Sequence, residues 1–217
     1  MKNKNVDPID QIEGVRNMFK EFKESIDKDM DIPQSLFFFN SKNAEPLAYI
    51  NLPPFKQEHK PEVFRMAFGC LRYFQTDRIV MTSDVWYNVE MKPKEMDDWY
   101  KQGKSLSEHP LSQQALMVTC HMANGSGITV VDEYGIDDFG NLTFRNDVPE
   151  YKQDNLGGLI SDTAKEAYRL LYNENDVVDS ESANKYFGLI SSLGFDINMS
   201  DMMFDSLGLA EIKDTDE

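Results

Sequence analysis

The stretch VTCHMANGSGITVV (Val118–Val131) sets a cysteine beside a histidine, just ahead of a glycine-rich bend. Two architectures compete for it. A phosphate-cradling loop leads from a strand into a helix whose first amides face the anion. A hairpin turn joins two strands and uses asparagine and glycine because both tolerate positive φ. After Asn124-Gly125-Ser126-Gly127 comes ITVVDEY, Ile128 to Tyr134, a β-branched run that reads as a strand. The bend therefore reads as a hairpin turn, with LSQQALMVTCHM as its first strand. Neighbours on a strand point to opposite faces. Cys120 and His121 therefore form no thiolate–imidazole pair with each other.

Working outward, RIVMTSDVWYNV (Arg78 to Val89) is the clearest alternating segment. Ile79, Met81, Ser83, Val85 and Tyr87 take one face; Val80, Thr82, Asp84, Trp86 and Asn88 take the other. Between it and the hairpin runs EMKPKEMDDWYKQGKSLSEHP, too long and charged for a tight turn. It reads as a surface loop with about one helical turn. NLTF, after the Asp138-Phe139-Gly140-Asn141 turn, reads as a last strand.

Towards the N-terminus, SLFFFNSKNAEPLAYINLPPF reads as two short strands joined by a polar turn and ended by Pro53-Pro54. Pro61 opens a helix, with Val63, Phe64, Ala67, Phe68, Leu71 and Phe74 at helical spacing. Met66, Cys70 and Tyr73 widen its apolar face, so the helix is expected to be mostly buried and Cys70 an inert core thiol. Asp7-Pro8 caps a first helix of about 20 residues, on which Ile12, Val15, Phe19, Phe22 and Ile26 form one stripe. From Asn155 the pattern turns helical, with Leu159, Ala167 and Leu170 among the apolar positions of the first helix. A last helix starts near Ser180-Glu181 and stops at Gly194. MSDMMFDSLGLAEIKDTDE closes the chain as an alternation of acids with Met, Phe and Leu. It reads as a frayed tail or as a peptide for a partner's groove.

These readings give an α+β fold: a mainly antiparallel sheet packed by helices, with a helical acidic C-terminal extension. The expected divisions are an amphipathic helix over 1–32, the sheet domain over 33–150 and the acidic extension over 151–217.

The net charge is −16. Residues 1–145 hold 22 acids and 17 bases, net −5, whereas 146–217 hold 16 acids and 5 bases, net −11. Such a surface repels phosphate backbones and anionic lipids and attracts basic protein partners. Two cysteines are no disulfide framework, and no apolar signal core or run of about 18 apolar residues is present. A soluble, cytoplasmic protein is expected, with no cofactor.

The three histidines lack the spacing of a zincin helix, an isopeptidase His-x-His pair or a deaminase site. DEYGIDDFGN lacks the ligand spacing of a calcium loop. No metal site is expected. Ser126 lies in the hairpin turn, not on a nucleophile elbow.

Asp84 and Trp86 share a strand face and are followed, beyond the loop, by SEHPLSQQALMV. This arrangement resembles an uncharacterised family of small α/β proteins of phage and bacterial genomes, over about residues 36–148. In that family a strand ending in small-Glu-x-Trp precedes a loop, then a segment like Pro-Asp-Arg-Gln-Glu-Ala. Pro110 matches, but Asp84 replaces the glutamate, Ser112 the arginine and Gln114 the second acid. An amide does not exchange protons near neutral pH, so a two-carboxylate mechanism loses a member.

The resemblance assigns no activity. The function expected is that of a non-enzymatic, phage-encoded accessory protein, working through protein–protein contacts. Its binding candidates are Trp86, Trp99 and Tyr100 around the 90–112 loop and Met203, Phe204 and Leu207 in the tail. One alternative is a small hydrolase-like enzyme with Asp84, Gln114 and His121 around a cleft beside Trp86. Another is an acidic DNA mimic, disfavoured by the 22 basic residues interspersed among the acids.

Overall fold

A computed structural model of the chain describes residues 5–25, 33–88, 90–136, 142–145, 151–153, 159–173 and 179–203. Its architecture is α+β. Strands β1 (Ser35–Phe39), β2 (Ala48–Asn51), β3 (Arg78–Tyr87), β4 (Gln113–Met122), β5 (Gly127–Ile136), β6 (Leu142–Arg145) and β8 (Asp196–Met199) run in the order β6-β5-β4-β3-β1-β2-β8. A short strand β7 (Tyr151–Gln153) also pairs with β5, and every pairing is antiparallel.

Helices cover both faces of this sheet. On one lies α1 (Pro8–Ser25); on the other lie α2 (Lys60–Gly69), α3 (Leu71–Phe74), α5 (Leu159–Asn173) and α6 (Ser180–Ser192). Burial on both sides explains why β1 is the unbroken run SLFFF rather than an alternating strand. Phe37 and Phe39 join Ile12, Val15 and Phe19 of α1 in one core, with Phe19 and Phe37 edge to face at 5.7 Å. Leu36 and Phe38 join the opposite core, where Phe38 meets Phe74 at 4.9 Å and Phe74 stacks on Phe187 at 5.5 Å.

The Asn124–Ser126 bend is a hairpin turn, with Gly125 at φ 85° and β4 and β5 in register from Gln114↔Tyr134 to His121↔Gly127. Asp7 caps α1 by accepting the Ile9 N–H at 3.0 Å. The helix stripe is buried at Ile12, Val15 and Phe19, but Phe22 is exposed and Ile26 lies outside the described residues.

Two sequence expectations change. The 90–112 excursion carries a full helix α4 (Pro93–Lys101) and a 3-10 turn at Leu106–Glu108, not a single helical turn. The segment over 151–217 is not wholly helical: it contributes β7 and β8, and β8 pairs with β2 from Ala48↔Met199 to Asn51↔Asp196. Ala164 and Tyr168 of α5 and Ala183 and Phe187 of α6 lie in the same core as residues of β1 and β3. Leu170 of α5 faces outward, because Ala164 and Tyr168 hold the inward positions.

Candidate functional site

Helix α1 lays two stripes on the sheet. Beside the apolar one runs a cationic one, Arg16, Lys20 and Lys23, spaced by four and three residues and so on one helical face. It meets the inward face of β5, where Asp132 and Tyr134 continue the phase of Ile128 and Val130. Asp132 is 1% exposed. Arg16 Nε and Nη2 donate to its two oxygens in a bidentate pair, Lys20 Nζ stands 3.4 Å away, and Arg16 Nη1 also donates to Glu13 Oε1 at 2.5 Å. The hydrogen bonds and charge of Asp132 hold the Arg16 guanidinium even more firmly protonated than usual, against the cost of its burial. Lys23, almost fully buried, lies 5.5 Å from the Tyr134 ring centroid, and Lys20 lies 5.3 Å from that of Phe144.

Asp84 faces the same side, one strand beyond β4. The Tyr134 hydroxyl bridges both of its oxygens at 2.6 Å, and Gln114 Nε2 donates to them at 3.2 and 3.1 Å. A carboxylate so engaged is an acceptor built into the packing between β3, β4 and β5. Gln114 reaches it because Trp86↔Gln114 and Asp84↔Leu116 are adjacent same-face pairs of the β3–β4 ladder.

His121 does not join them. It pairs with Ile79, and odd-numbered positions of β3 and β4 turn to the α5 side, so Asp84 and Gln114 lie across the sheet from His121. The convergence required for the hydrolase-like reading is absent from the geometry. Cys120 and His121 likewise leave opposite faces, as alternation requires. Burial, chiefly, pushes the Cys120 thiol up to about 12 and the Cys70 thiol higher still. Both are held as thiols, not nucleophilic thiolates.

At the Trp86 end the excursion folds back on β3. Asn88 is the pivot: its Oδ1 accepts the Glu90 and Met91 N–H groups at 3.0 and 3.1 Å, while its Nδ2 meets His109 Nδ1 at 2.9 Å. His109 Nδ1 also accepts the Leu111 N–H at 3.2 Å. In helix α4, Pro93 starts the first turn and Glu95 accepts the Lys92 N–H at 2.9 Å. Trp99 is set between His109, at 4.8 Å edge to face, and Lys104, at 4.5 Å over the ring; its indole N–H donates to Ser105 O at 2.8 Å. Trp99 thus organises the excursion, whereas Trp86, Tyr100 and Leu111 are 42%, 49% and 58% exposed.

Of the tail candidates, Met203 is a correction: it is 6% exposed and packs in the α5–α6 core, its N–H held by Ser200 O at 2.9 Å. Phe204 and Leu207 lie outside the described residues. Sequence reasoning missed Arg16, Lys20, Lys23, Asp132 and Tyr134. The signal was present in the Arg16–Lys20–Lys23 spacing and in Asp132, an acid in phase with buried residues of β5.

Among the described residues no group of three His, Cys, Asp or Glu side chains is placed to hold a metal ion, and no helix is long and apolar enough to cross a membrane. Comparison of the chain with protein-family models, curated proteins and solved structures finds no match.

Proposed function

We propose that the protein is a non-enzymatic accessory protein that binds a protein partner through the Trp86 end of the sheet. The observation that carries this is the exposure of three large apolar side chains, Trp86 of β3, Tyr100 of α4 and Leu111 just before β4, on the segments that Asn88, His109 and Trp99 tie together. Exposed large apolar groups of this kind are typical binding anchors. The carboxylates of this face support the same reading. Asp84, first suspected of chemistry, serves Tyr134 and Gln114, and Asp132 serves Arg16 and Lys20.

The −11 charge of residues 146–217 favours a partner with a basic surface. A DNA mimic is less well supported. Acids of α5 and α6 form local pairs, Glu166 with Arg169 and Glu181 with Lys185, rather than standing as an uninterrupted negative row. The resemblance to phage and bacterial proteins makes a bacterial lysate the place to look.

The test is capture by the full chain and by a Trp86→Ser/Tyr100→Ser/Leu111→Ser variant, with captured proteins identified and their affinities measured by calorimetry. Loss of the three anchors weakens binding roughly 100-fold or more at about 1–2 kcal/mol each. A partner held equally by both chains, or no partner at all, overturns the proposal. A chain ending at Met203 separates the contribution of the tail without removing β8.

A further inference from the structure

The face of the sheet opposite Asp84 holds a polar group that the packing leaves unanswered. His121 is 5% exposed, and its Nε2 is buried without a hydrogen-bond partner among the described residues. Across the β4–β5 ladder it stands opposite Gly127, which has no side chain. Leaving such an atom dry costs about 1–3 kcal/mol, and native structures rarely tolerate it.

His121 is among the residues around a small cavity between the hairpin turn and α5, whose lining also includes Ser126, Ser161, Lys165 and Tyr168. Its volume is about 10 Å³. A cavity of roughly that size accommodates one water molecule, and a water needs two to four polar partners. We propose that one ordered water occupies this cavity, hydrogen-bonded to His121 Nε2 and to the Ser126 and Ser161 hydroxyls, and that it fastens the β4–β5 hairpin to α5.

Size and charge decide the ligand class. A phosphate or sulfate is several times too large, and Asp162 already stands 3.8 Å from the Lys165 ammonium. A metal ion would need further ligands, and the described residues offer no such group. Burial, with Lys165 adding to it, holds the imidazole down at about 4, so near neutral pH the ring is uncharged and a neutral partner matches it.

The experiment is a high-resolution crystal structure of the full chain, with water-to-imidazole cross-relaxation by NMR in solution. The expected result is one density peak at about 2.7–3.2 Å from Nε2 and a long-lived water signal that disappears in His121→Phe. A closed or empty cavity, a direct protein bond to Nε2, or an anion or metal at the position overturns the proposal. The native chain alone answers the question should the variant fail to fold.

Discussion

Asp132 invites a double-mutant cycle with Arg16, because the two partners differ in what each keeps when the other is lost. At 1% exposure the Asp132 carboxylate is cut off from water, so Arg16→Met leaves a buried anion whose remaining ion-pair partner among the described residues is Lys20 at 3.4 Å. Removing one partner of a buried pair costs about 3–5 kcal/mol, and the residual lysine lowers the expectation here to about 2–3 kcal/mol. Asp132→Leu is milder. Arg16 is 13% exposed and keeps Glu13 at 2.5 Å, so about 1–2 kcal/mol is expected. The double variant Arg16→Met/Asp132→Leu removes both charges and fills the site with apolar volume. It is expected within about 1 kcal/mol of the native chain, giving a coupling of roughly 2 kcal/mol or more. Urea unfolding followed by circular dichroism measures all four corners. Strict additivity, or an Asp132→Leu loss larger than that of Arg16→Met, refutes the reasoning.

A second prediction concerns pH. The unfolded chain protonates His121 near 6.5, whereas the folded one resists until about 4, so the unfolded state binds more protons between those values. Stability from this group is complete above pH 6.5 and is lost as pH falls to 4, by roughly 3 kcal/mol; the slope difference between native chain and His121→Phe in urea melts measures it. Gly69→Ala would set a Cβ against Tyr186 Oη, the group that donates to Met66 O at 2.6 Å. Displacing that phenol from α2 and from Tyr73 is expected to cost about 1–2 kcal/mol, seen as a lower urea midpoint. Cys70 and Cys120 are expected to resist a thiol reagent in the folded chain and to react fully in denaturant; prompt native labelling would contradict their burial.

The parts of the fold legible in the sequence are those governed by local periodicity. The turn at Asn124–Ser126 was readable because asparagine and glycine there have one conformational purpose, and the faces of β3 because apolar residues alternate. Helix α4 was obscured by its charge, although Pro93 and Glu95 marked its start. Strand β8 was hidden because DINM has no pattern of its own and gains a partner only through β2, some 150 residues earlier. At the site, Asp84 and Gln114 were found together because they occupy one face of adjacent strands. Their link to Tyr134, and that of Asp132 to Arg16, depend on strand order and helix docking, which no local window contains.

The pairing of β2 with β8 also bears on biosynthesis. Ala48 leaves the ribosome long before Met199, so the apolar run of β1 and β2 must wait through most of translation with one margin uncovered. Any chain cut short before residue 196 would be born with that margin permanently bare. Such fragments should self-associate or recruit chaperones, even where every earlier segment folds as it does in the full-length molecule.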